Sequence, residues 1–177
     1  KLIQAFGPPV KEFDLVSPYF VPGPLGTEAL SALARRGVRV RILTNSLAST
    51  DEVSVHSGYA RRRKDLLSAG VHLFEMKPSA APILKRGEEI GKHSTAGLHA
   101  KTFAVDRRRV FVGSFNFDPR SAKLNTEMGV IIDSASLSER CLPVGQTLSS
   151  TPACTRTTTW SARLRAERTA AVADAMS

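Results

Sequence analysis

The sequence predicts an α/β domain with a mixed β-sheet that is flanked by helices. In the first half of the chain, short apolar β-prone runs alternate with segments of helical periodicity. In the second half, two apolar runs lie on either side of a charged turn, which predicts a β-hairpin. The chain has 177 residues, 42% of them hydrophobic and 23% charged, as is typical of a globular domain with a core.

The first half is expected to contain three strands and two helices. The first strand is the apolar run 13–20, because a Val-Pro-Gly-Pro breaker follows it. The first helix covers residues 27–36, and Gly37 suits the position after a helix end. The other predicted elements are a strand at 38–43, a helix at 53–69 and a strand at 71–76.

A long loop and a hairpin are expected in the second half. Residues 77–97 are rich in Pro, Ser, Ala and charge, which predicts a loop. The elements predicted after it are strands at 98–105 and 109–113, a loop or short helix at 114–123 and a strand at 126–132.

The composition changes after Asp133. We therefore divide the chain into a domain at 1–133 and an atypical Ser/Thr-rich tail at 134–177, which ends in a weak Ala/Arg helix. The tail is interpreted either as a disordered extension or as the product of a shifted reading frame. Its two cysteines, Cys141 and Cys154, lie in no metal-ligand pattern, so we predict neither a metal site nor a disulfide framework.

The net charge of +9 and the pI near 10.2 favour anionic partners. Phospholipid headgroups, nucleic acid and phosphorylated small molecules all meet this description. The basic runs at 61–64 and 107–109 are interpreted as solvated faces. No apolar run is long enough to cross a bilayer, so no transmembrane segment is predicted.

Candidate catalytic residues lie in and around the predicted hairpin. His99 and Lys101 are two residues apart on a predicted strand, so we expect both side chains on one sheet face. An imidazole beside an ammonium group among apolar neighbours costs desolvation unless an anion binds there, and a phosphate meets that need. Asp106, at the end of the strand, is expected to pair with the basic cluster or to hold the turn.

Two hydrogen-bond donors follow the second strand of the hairpin. The Ser114 hydroxyl and the Asn116 amide can donate to nonbridging phosphate oxygens, and the preceding glycine permits close backbone approach. Together with Lys101, they would stabilise the negative charge of a pentacoordinate transition state. His99 can act as nucleophile or general acid, and Glu127 on the following strand can orient an imidazole.

A substrate pocket is expected at the carboxyl ends of the first strands, where ligands bind in α/β sheets. Two residues one turn apart on a predicted helix either line this pocket or pack against the sheet. The pocket candidates at the strand ends are Tyr19, Phe20, Asn45 and Ser46, and the helical pair is His56 and Tyr59.

The pattern H-x-K-x4-D-x6-G-S-x-N, which begins at His99, resembles the signature of the phospholipase D superfamily. The resemblance implies one phospholipase D-type half with a single HKD repeat, and the catalytic set His99, Lys101, Asp106 and Glu127. It also implies catalysis without a metal or other cofactor, through a phosphohistidine. The histidine of one motif attacks phosphorus, and the histidine of a second motif protonates the leaving alcohol.

Four stretches, at 17–23, 37–51, 55–63 and 117–127, resemble the C-terminal half of bacterial cardiolipin synthases, especially the type C branch. In many members the N-terminal motif supplies the nucleophile, which implies a general acid and base role for His99. The resemblance also implies a peripheral enzyme on the cytoplasmic face of the bacterial inner membrane.

The leading hypothesis is therefore a phosphatidyltransferase that acts on anionic phospholipid headgroups and makes cardiolipin. The alternatives are a hydrolytic phospholipase or nuclease, the latter with nucleic acid as partner, and an inactive fragment that serves only dimer or lipid contact. A single motif supplies half a site, so the other half is expected from an upstream HKD half or from a second copy as a homodimer. We also expect an exposed apolar face beside His99.

Overall fold

A single β-sheet organises the protein. The structure, a computed structural model, describes residues 6–77, 98–141 and 154–157. The strands are β1 (Glu12–Val16), β2 (Arg39–Asn45), β3 (His72–Met76), β4 (Thr102–Val105), β5 (Arg109–Gly113), β6 (Gly129–Asp133) and β7 (Cys154–Thr157). The helices are α1 (Gly23–Arg35), α2 (Val53–Ser68), α3 (Pro119–Lys123) and α4 (Ala135–Cys141).

The sheet is mixed, as the sequence predicts. Its strand order is β6-β5-β4-β1-β2-β3-β7. The pairs β1–β2 and β2–β3 are parallel, because α1 and α2 carry the chain back to the same edge, and all other pairs are antiparallel. The predicted hairpin is the antiparallel pair β4–β5. Both the α/β class and the flanking helices are therefore confirmed.

The main core lies between β1–β3 and the two long helices. Its fully buried side chains come from alternating strand positions and from one apolar stripe on each helix. Each such side chain contributes roughly 1.5–3 kcal/mol to folding. The central members are Leu15, Val40, Ile42, Leu73, Leu30 and Leu66.

Helix α1 begins four residues earlier than predicted. The breaker residues Gly23 and Pro24 form its first turn, because proline lacks an N–H that the first turn does not need. The Thr27 hydroxyl donates to the Gly23 carbonyl at 2.6 Å. At the other end, Gly37 has a φ of +85°, a conformation that favours glycine and ends the helix as predicted.

Strands β1 and β4 are both shorter than predicted. β1 ends at Val16, and Val16 pairs with Thr102, the first residue of β4. Pro18 follows soon after and has no N–H to donate, so the ladder does not continue past this pair. Residues 98–101, predicted as strand, are therefore irregular.

Several arginines of the basic runs form ion pairs, while Arg107 and Arg108 stay exposed, as the interpretation of solvated faces expects. Arg107 pairs with the buried carboxylate of Glu12, and Arg108 pairs with Asp133 at 3.0 Å. Arg63 pairs with Glu75 at 2.8 Å. These arginines therefore hold elements of the fold together.

The predicted boundary at residue 133 does not coincide with an end of the fold. Helix α4 follows β6 directly and buries Ser138, and β7 pairs with the edge strand β3. An edge strand offers unpaired backbone groups, and the Thr-rich segment of β7 is suited to bind them. The remaining tail, with its predicted helix, and most of the predicted loop at 77–97 lie outside the described residues. Among the described helices, none is long and apolar enough to cross a membrane.

Candidate active site

A cleft of about 500 Å³ lies where β1 and β2 end and β4 begins. Ligands in α/β proteins bind at this edge, the carboxyl ends of the parallel strands. The structure brings five of the predicted site residues together in its lining: Tyr19, Asn45, His99, Lys101 and Asn116.

His99 and Lys101 share the cleft although neither lies on a strand. His99 is exposed and Lys101 is half-buried. The predicted cost of removing these side chains from water therefore does not arise for His99 and arises only partly for Lys101. The Lys101 ammonium group donates to the His99 carbonyl at 3.0 Å, and the Lys101 carbonyl accepts from Gly113 N–H at 3.2 Å. Within residues 6–77 and 98–141, the His99 imidazole has no hydrogen-bond partner. It is therefore accessible to a phosphate or to a second motif.

Asn45 acts on the backbone beside His99. Its Nδ2 donates to the Leu98 carbonyl at 3.3 Å, and its Oδ1 accepts from Leu98 N–H at 2.9 Å. Asn45 is itself buried, so this pair fixes the start of the catalytic segment to the end of β2. Ser46 lies outside the cleft lining, and its hydroxyl bonds with that of Ser49 at 3.0 Å.

Asn116 has an unsatisfied buried atom. Its Oδ1 is buried and makes no hydrogen bond within the described part of the chain. The loop around it is held firmly, because Phe117 N–H donates to the Ser17 hydroxyl at 3.1 Å and Val21 N–H donates to the Phe117 carbonyl at 2.8 Å. A buried acceptor without a donor costs free energy, which a donor from water or from a bound group would recover.

Ser114 and Glu127 form a pair of their own. The Ser114 hydroxyl donates to Glu127 Oε2 at 2.5 Å, and Ser114 N–H donates to the Met128 carbonyl at 2.8 Å. The hydrogen bond from Ser114, with smaller contributions from neighbours such as Asn125 and Lys101, holds the pKa of Glu127 below its ordinary value. The Ser114 hydroxyl thus binds a carboxylate rather than facing the cleft. Phosphate binding by Ser114 and imidazole orientation by Glu127 stay predictions.

Asp106 lies at the opposite end of β4 from the cleft. Its carboxylate accepts from three backbone N–H groups, those of Val10, Lys11 and Glu12, at 2.7–3.1 Å. Burial raises the pKa of this carboxyl, but the three donors outweigh burial and hold the pKa below its ordinary value. This geometry favours the turn-holding interpretation, and because Asp106 lies outside the cleft lining, a catalytic role for it stays a prediction.

Phe20, Tyr59 and His56 lie outside the cleft lining, which corrects their assignment to the pocket. Phe20 and Tyr59 are 0% and 1% exposed, and their ring centroids are 5.8 Å apart in the core. The Tyr59 hydroxyl donates to Glu75 at 3.0 Å, and His56 packs edge-on against the Tyr59 ring. Of the two alternatives for His56 and Tyr59, the structure therefore agrees with packing of the helix against the sheet.

Five residues of the lining were not predicted from the sequence: Pro18, Leu98 and the three polar residues Ser49, Thr50 and Asp51. The three polar residues have the most bearing on binding. They form the loop between β2 and α2. The Tyr19 hydroxyl donates to both Asp51 oxygens, at 2.9 and 2.8 Å, and this hydrogen bond is the first cause of a raised Tyr19 pKa. The signal was present, because a Ser-Thr-Asp run that follows a buried parallel strand lies where ligands bind.

Close packing between neighbouring strands explains why the motif has a glycine at position 113. A Cβ on Gly113 would lie 2.4 Å from the Met128 carbonyl, and one on Gly129 would lie 2.3 Å from the Phe111 ring. Gly113 and Gly129 are register partners in β5 and β6. These two glycines therefore allow β6 and the aromatic ring to approach closely.

Comparison with known proteins shows similarity to cardiolipin synthases. Residues 2–142 match the family model described as "Cardiolipin synthase, PLD-like domain". Cardiolipin synthase C of Escherichia coli (strain K12) is 49% identical over 142 residues, which cover 78% of this chain and 30% of that protein. Cardiolipin synthase A of Proteus mirabilis (strain HI4320) is 33% identical over 132 residues, which cover 75% of this chain and 23% of that protein. The chain thus spans less than a third of these relatives.

Solved structures show the same fold. The phospholipase D family member Nuc from Salmonella typhimurium has a TM-score of 0.63 at 22% identity, and the match covers 89% of both chains. Phosphatidylserine synthase of Haemophilus influenzae Rd KW20 has a TM-score of 0.58 at 15% identity, and the match covers 84% of this chain and 34% of that one. With the family match over residues 2–142, these findings show that the chain belongs to the phospholipase D-like family, as a cardiolipin synthase-type PLD-like domain.

Proposed function

We propose that this chain supplies one half of the active site of a phosphatidyltransferase that makes cardiolipin through a phosphohistidine intermediate. The observation that carries the proposal is the shared cleft of His99, Lys101 and Asn116. A relative that is 49% identical and named cardiolipin synthase C supports the choice of reaction.

The residues of the cleft suit the chemistry of phosphoryl transfer. One imidazole attacks phosphorus, the bond from phosphorus to the headgroup oxygen breaks, and a second imidazole gives that oxygen its proton. The acceptor hydroxyl then loses a proton to the second imidazole and displaces the first. Lys101 and the amide of Asn116 bind the nonbridging oxygens, whose negative charge grows in each transition state.

A second motif is required because the described part of the chain brings one histidine to the cleft. His56 and His72 lie elsewhere in the fold, and His93 lies outside the described residues. The unsatisfied Oδ1 of Asn116 fits an incomplete site, which a donor from the other half or from substrate would complete. The second motif comes from an N-terminal HKD half of the same protein or from a second copy.

Exposed apolar side chains near Ser114 and Glu127 along the chain support the need for a second half. Val112 and Val130 are register partners on β5 and β6 and are 40% and 57% exposed. Leu124 and Met128, close to Glu127 along the chain, are more exposed still. Exposed apolar residues of this kind are typical of an interaction site, whereas the apolar face expected beside His99 itself stays a prediction.

We also infer that the protein acts at a membrane surface as a peripheral enzyme on the cytoplasmic face of the bacterial inner membrane. The net charge of +9 favours the anionic headgroups of its proposed substrates.

The test uses the protein with both motifs present and vesicles of phosphatidylglycerol. Mass spectrometry should show cardiolipin and free glycerol without added nucleotide or metal, and His99→Asn should lower the rate by at least about a thousandfold. His56→Asn, a change outside the cleft, is the control and should stay within a few-fold of wild type. Phosphatidic acid as the main product would favour the hydrolytic alternative. Cardiolipin formation by a folded His99→Asn variant would contradict the proposal.

A further inference from the structure

The cleft has a second wall whose chemistry differs from that of the catalytic wall. His99, Lys101 and Asn116 offer groups that bind an anion. The second wall is the part of the lining formed by Tyr19 and residues 49–51, and its Asp51 is an exposed carboxylate. The cleft proposed to bind a phosphodiester therefore contains the negative charge of Asp51, which cannot itself bind phosphate oxygens.

The neighbouring hydroxyl groups of this wall are already engaged. The Ser49 hydroxyl donates to the Met76 carbonyl at 2.8 Å. The Thr50 hydroxyl donates to the Glu52 carbonyl at 3.3 Å and accepts from Glu52 N–H at 3.2 Å. Asp51 is thus the group on this wall with spare acceptor capacity, since an ionised carboxylate has about four lone-pair sites and Tyr19 brings a single proton.

Tyr19 holds the Asp51 carboxylate in place. The phenol donates to both oxygens at 2.9 and 2.8 Å, and the backbone of Tyr19 is itself held because its carbonyl accepts from the Ser17 hydroxyl at 2.7 Å. The raised pKa of Tyr19, caused first by the bond to Asp51, keeps the phenol protonated and donating. The carboxylate is therefore presented in a defined orientation rather than free to rotate.

A carboxylate repels phosphate oxygens and accepts hydrogen bonds from hydroxyl or ammonium groups. We propose that Asp51, positioned by Tyr19, is a specificity residue that binds the non-reacting hydrogen-bond donors of the headgroup alcohol while its phosphate or attacking oxygen lies at His99 and Lys101. This inference rests on the proposed function and deepens it. The substrate class is an alcohol headgroup with further hydroxyls, as in glycerol, or with an ammonium group, as in ethanolamine.

A purely structural role makes a different prediction. Asp51 lies shortly before α2, and a carboxylate near a helix N-terminus stabilises the helix. That role requires no preference among acceptors, and the adjacent exposed Glu52 offers the same charge to the same helix end. Acceptor preference therefore separates the two roles.

The experiment uses the protein with both motifs and a phosphatidyl donor whose leaving group is p-nitrophenol, which carries no further hydrogen-bond donor once esterified. Glycerol, ethanolamine and 1-propanol compete as acceptors, and mass spectrometry measures the three phosphatidyl alcohols. Release of p-nitrophenol reports attack on phosphorus, the total yield of phosphatidyl alcohols reports the His99 chemistry, and the product ratio reports the proposed subsite.

In Asp51→Ala, the ratio of phosphatidylglycerol to phosphatidylpropanol should fall about tenfold, the size expected for one charged hydrogen bond. Transfer to 1-propanol should fall much less than transfer to glycerol, because propanol has no second hydroxyl for Asp51 to bind. Tyr19→Phe should lower the ratio less, since the carboxylate remains but is no longer held. Glu52→Ala is the matched control and should leave the ratio unchanged.

The ethanolamine arm identifies the donor group. A fall confined to ethanolamine assigns the subsite to an ammonium group, and a fall confined to glycerol assigns it to hydroxyls; both support the inference. Unchanged ratios, or an equal loss for 1-propanol, would overturn it and leave Asp51 a structural role. Formation of phosphatidyl alcohols that does not depend on His99 would contradict the proposed function, and the subsite with it.

Discussion

Asn45 makes two hydrogen bonds with the backbone of Leu98: its Nδ2 donates to the carbonyl, and its Oδ1 accepts from the N–H. His99 is the next residue in the chain. A buried amide at the end of β2 therefore sets where the catalytic segment enters the cleft, although Asn45 and Leu98 are far apart in the sequence. Residues 98–101 lack a strand ladder on the β1 side, so this contact replaces it as their anchor.

Asn45→Asp is expected to impair catalysis more than stability. The carboxylate would keep the contact with Leu98 N–H but would face the Leu98 carbonyl without a proton to donate. A displaced catalytic segment should lower kcat about tenfold to a hundredfold, while the lost hydrogen bond costs about 1 kcal/mol. Kinetics and thermal unfolding measure the two effects. Ser46→Ala, in the same loop but outside the cleft, is the control, and an Asn45→Asp variant with wild-type kcat would rule out the anchoring role.

Asp106→Asn tests whether the aspartate of the motif is structural. The folded-state pKa of Asp106 is depressed, so its contribution to stability is present above the ordinary value of 3.8 and is lost as pH falls through the folded value. We expect the variant to be about 1–2 kcal/mol less stable at pH 7, a difference that shrinks in acid. Asparagine tolerates the φ of 53° at this position, so the change isolates the charge. Denaturant unfolding across pH measures it. Loss of activity in a variant of unchanged stability would instead support a catalytic role.

Ser114→Ala should raise the pKa of Glu127 toward the ordinary value of 4.5, because the hydroxyl at 2.5 Å is the first cause of its depression. An NMR titration that follows the Glu127 carboxyl carbon gives the value directly. Ser121→Ala, which removes a weaker contribution, should produce a smaller rise. An identical Glu127 pKa in Ser114→Ala and wild type would show that the pair is not formed in solution.

Tungstate or vanadate should bind among His99, Lys101 and Asn116 as a mimic of the phosphoryl group. Lys101→Ala removes a charge-assisted hydrogen bond and should weaken binding about tenfold or more. Lys123→Ala, on the exposed end of α3, removes the same charge away from the cleft and should have little effect. A crystal soaked in tungstate locates the ion. An ion seen only elsewhere on the protein would count against the phosphate assignment.

Gly129→Ala should destabilise the protein by about 1–3 kcal/mol, because the added methyl group would lie 2.3 Å from the buried Phe111 ring. The ring cannot retreat easily, since it is stacked on Phe103 at a centroid distance of 4.7 Å. Chemical denaturation measures the change. Val130→Ala, at an exposed position on the same strand, should stay within about 0.5 kcal/mol of wild type, and an equally stable Gly129→Ala would show that the ring moves freely.

The sequence by itself determined the α/β class, the order of elements through β6 and which residues are candidates for the chemistry. These features depend on local properties, namely apolar periodicity, breakers such as Gly37 and the spacing of the motif. It also placed Tyr19 and Asn45 correctly in the cleft lining, because parallel strands bring their carboxyl ends to one edge.

Only the tertiary structure decided which polar atoms are paired within the fold and which remain available to bind a substrate. Pairings such as Ser114 with Glu127 and Asp106 with the 10–12 backbone join residues that are distant in the sequence. The burial of Phe20 and Tyr59 depends on α2 packing across the sheet, and β7 joins β3 across a long sequence separation. Residue spacing within one segment does not specify such contacts, since they arise only when separate elements compete for the same donors and the same buried space.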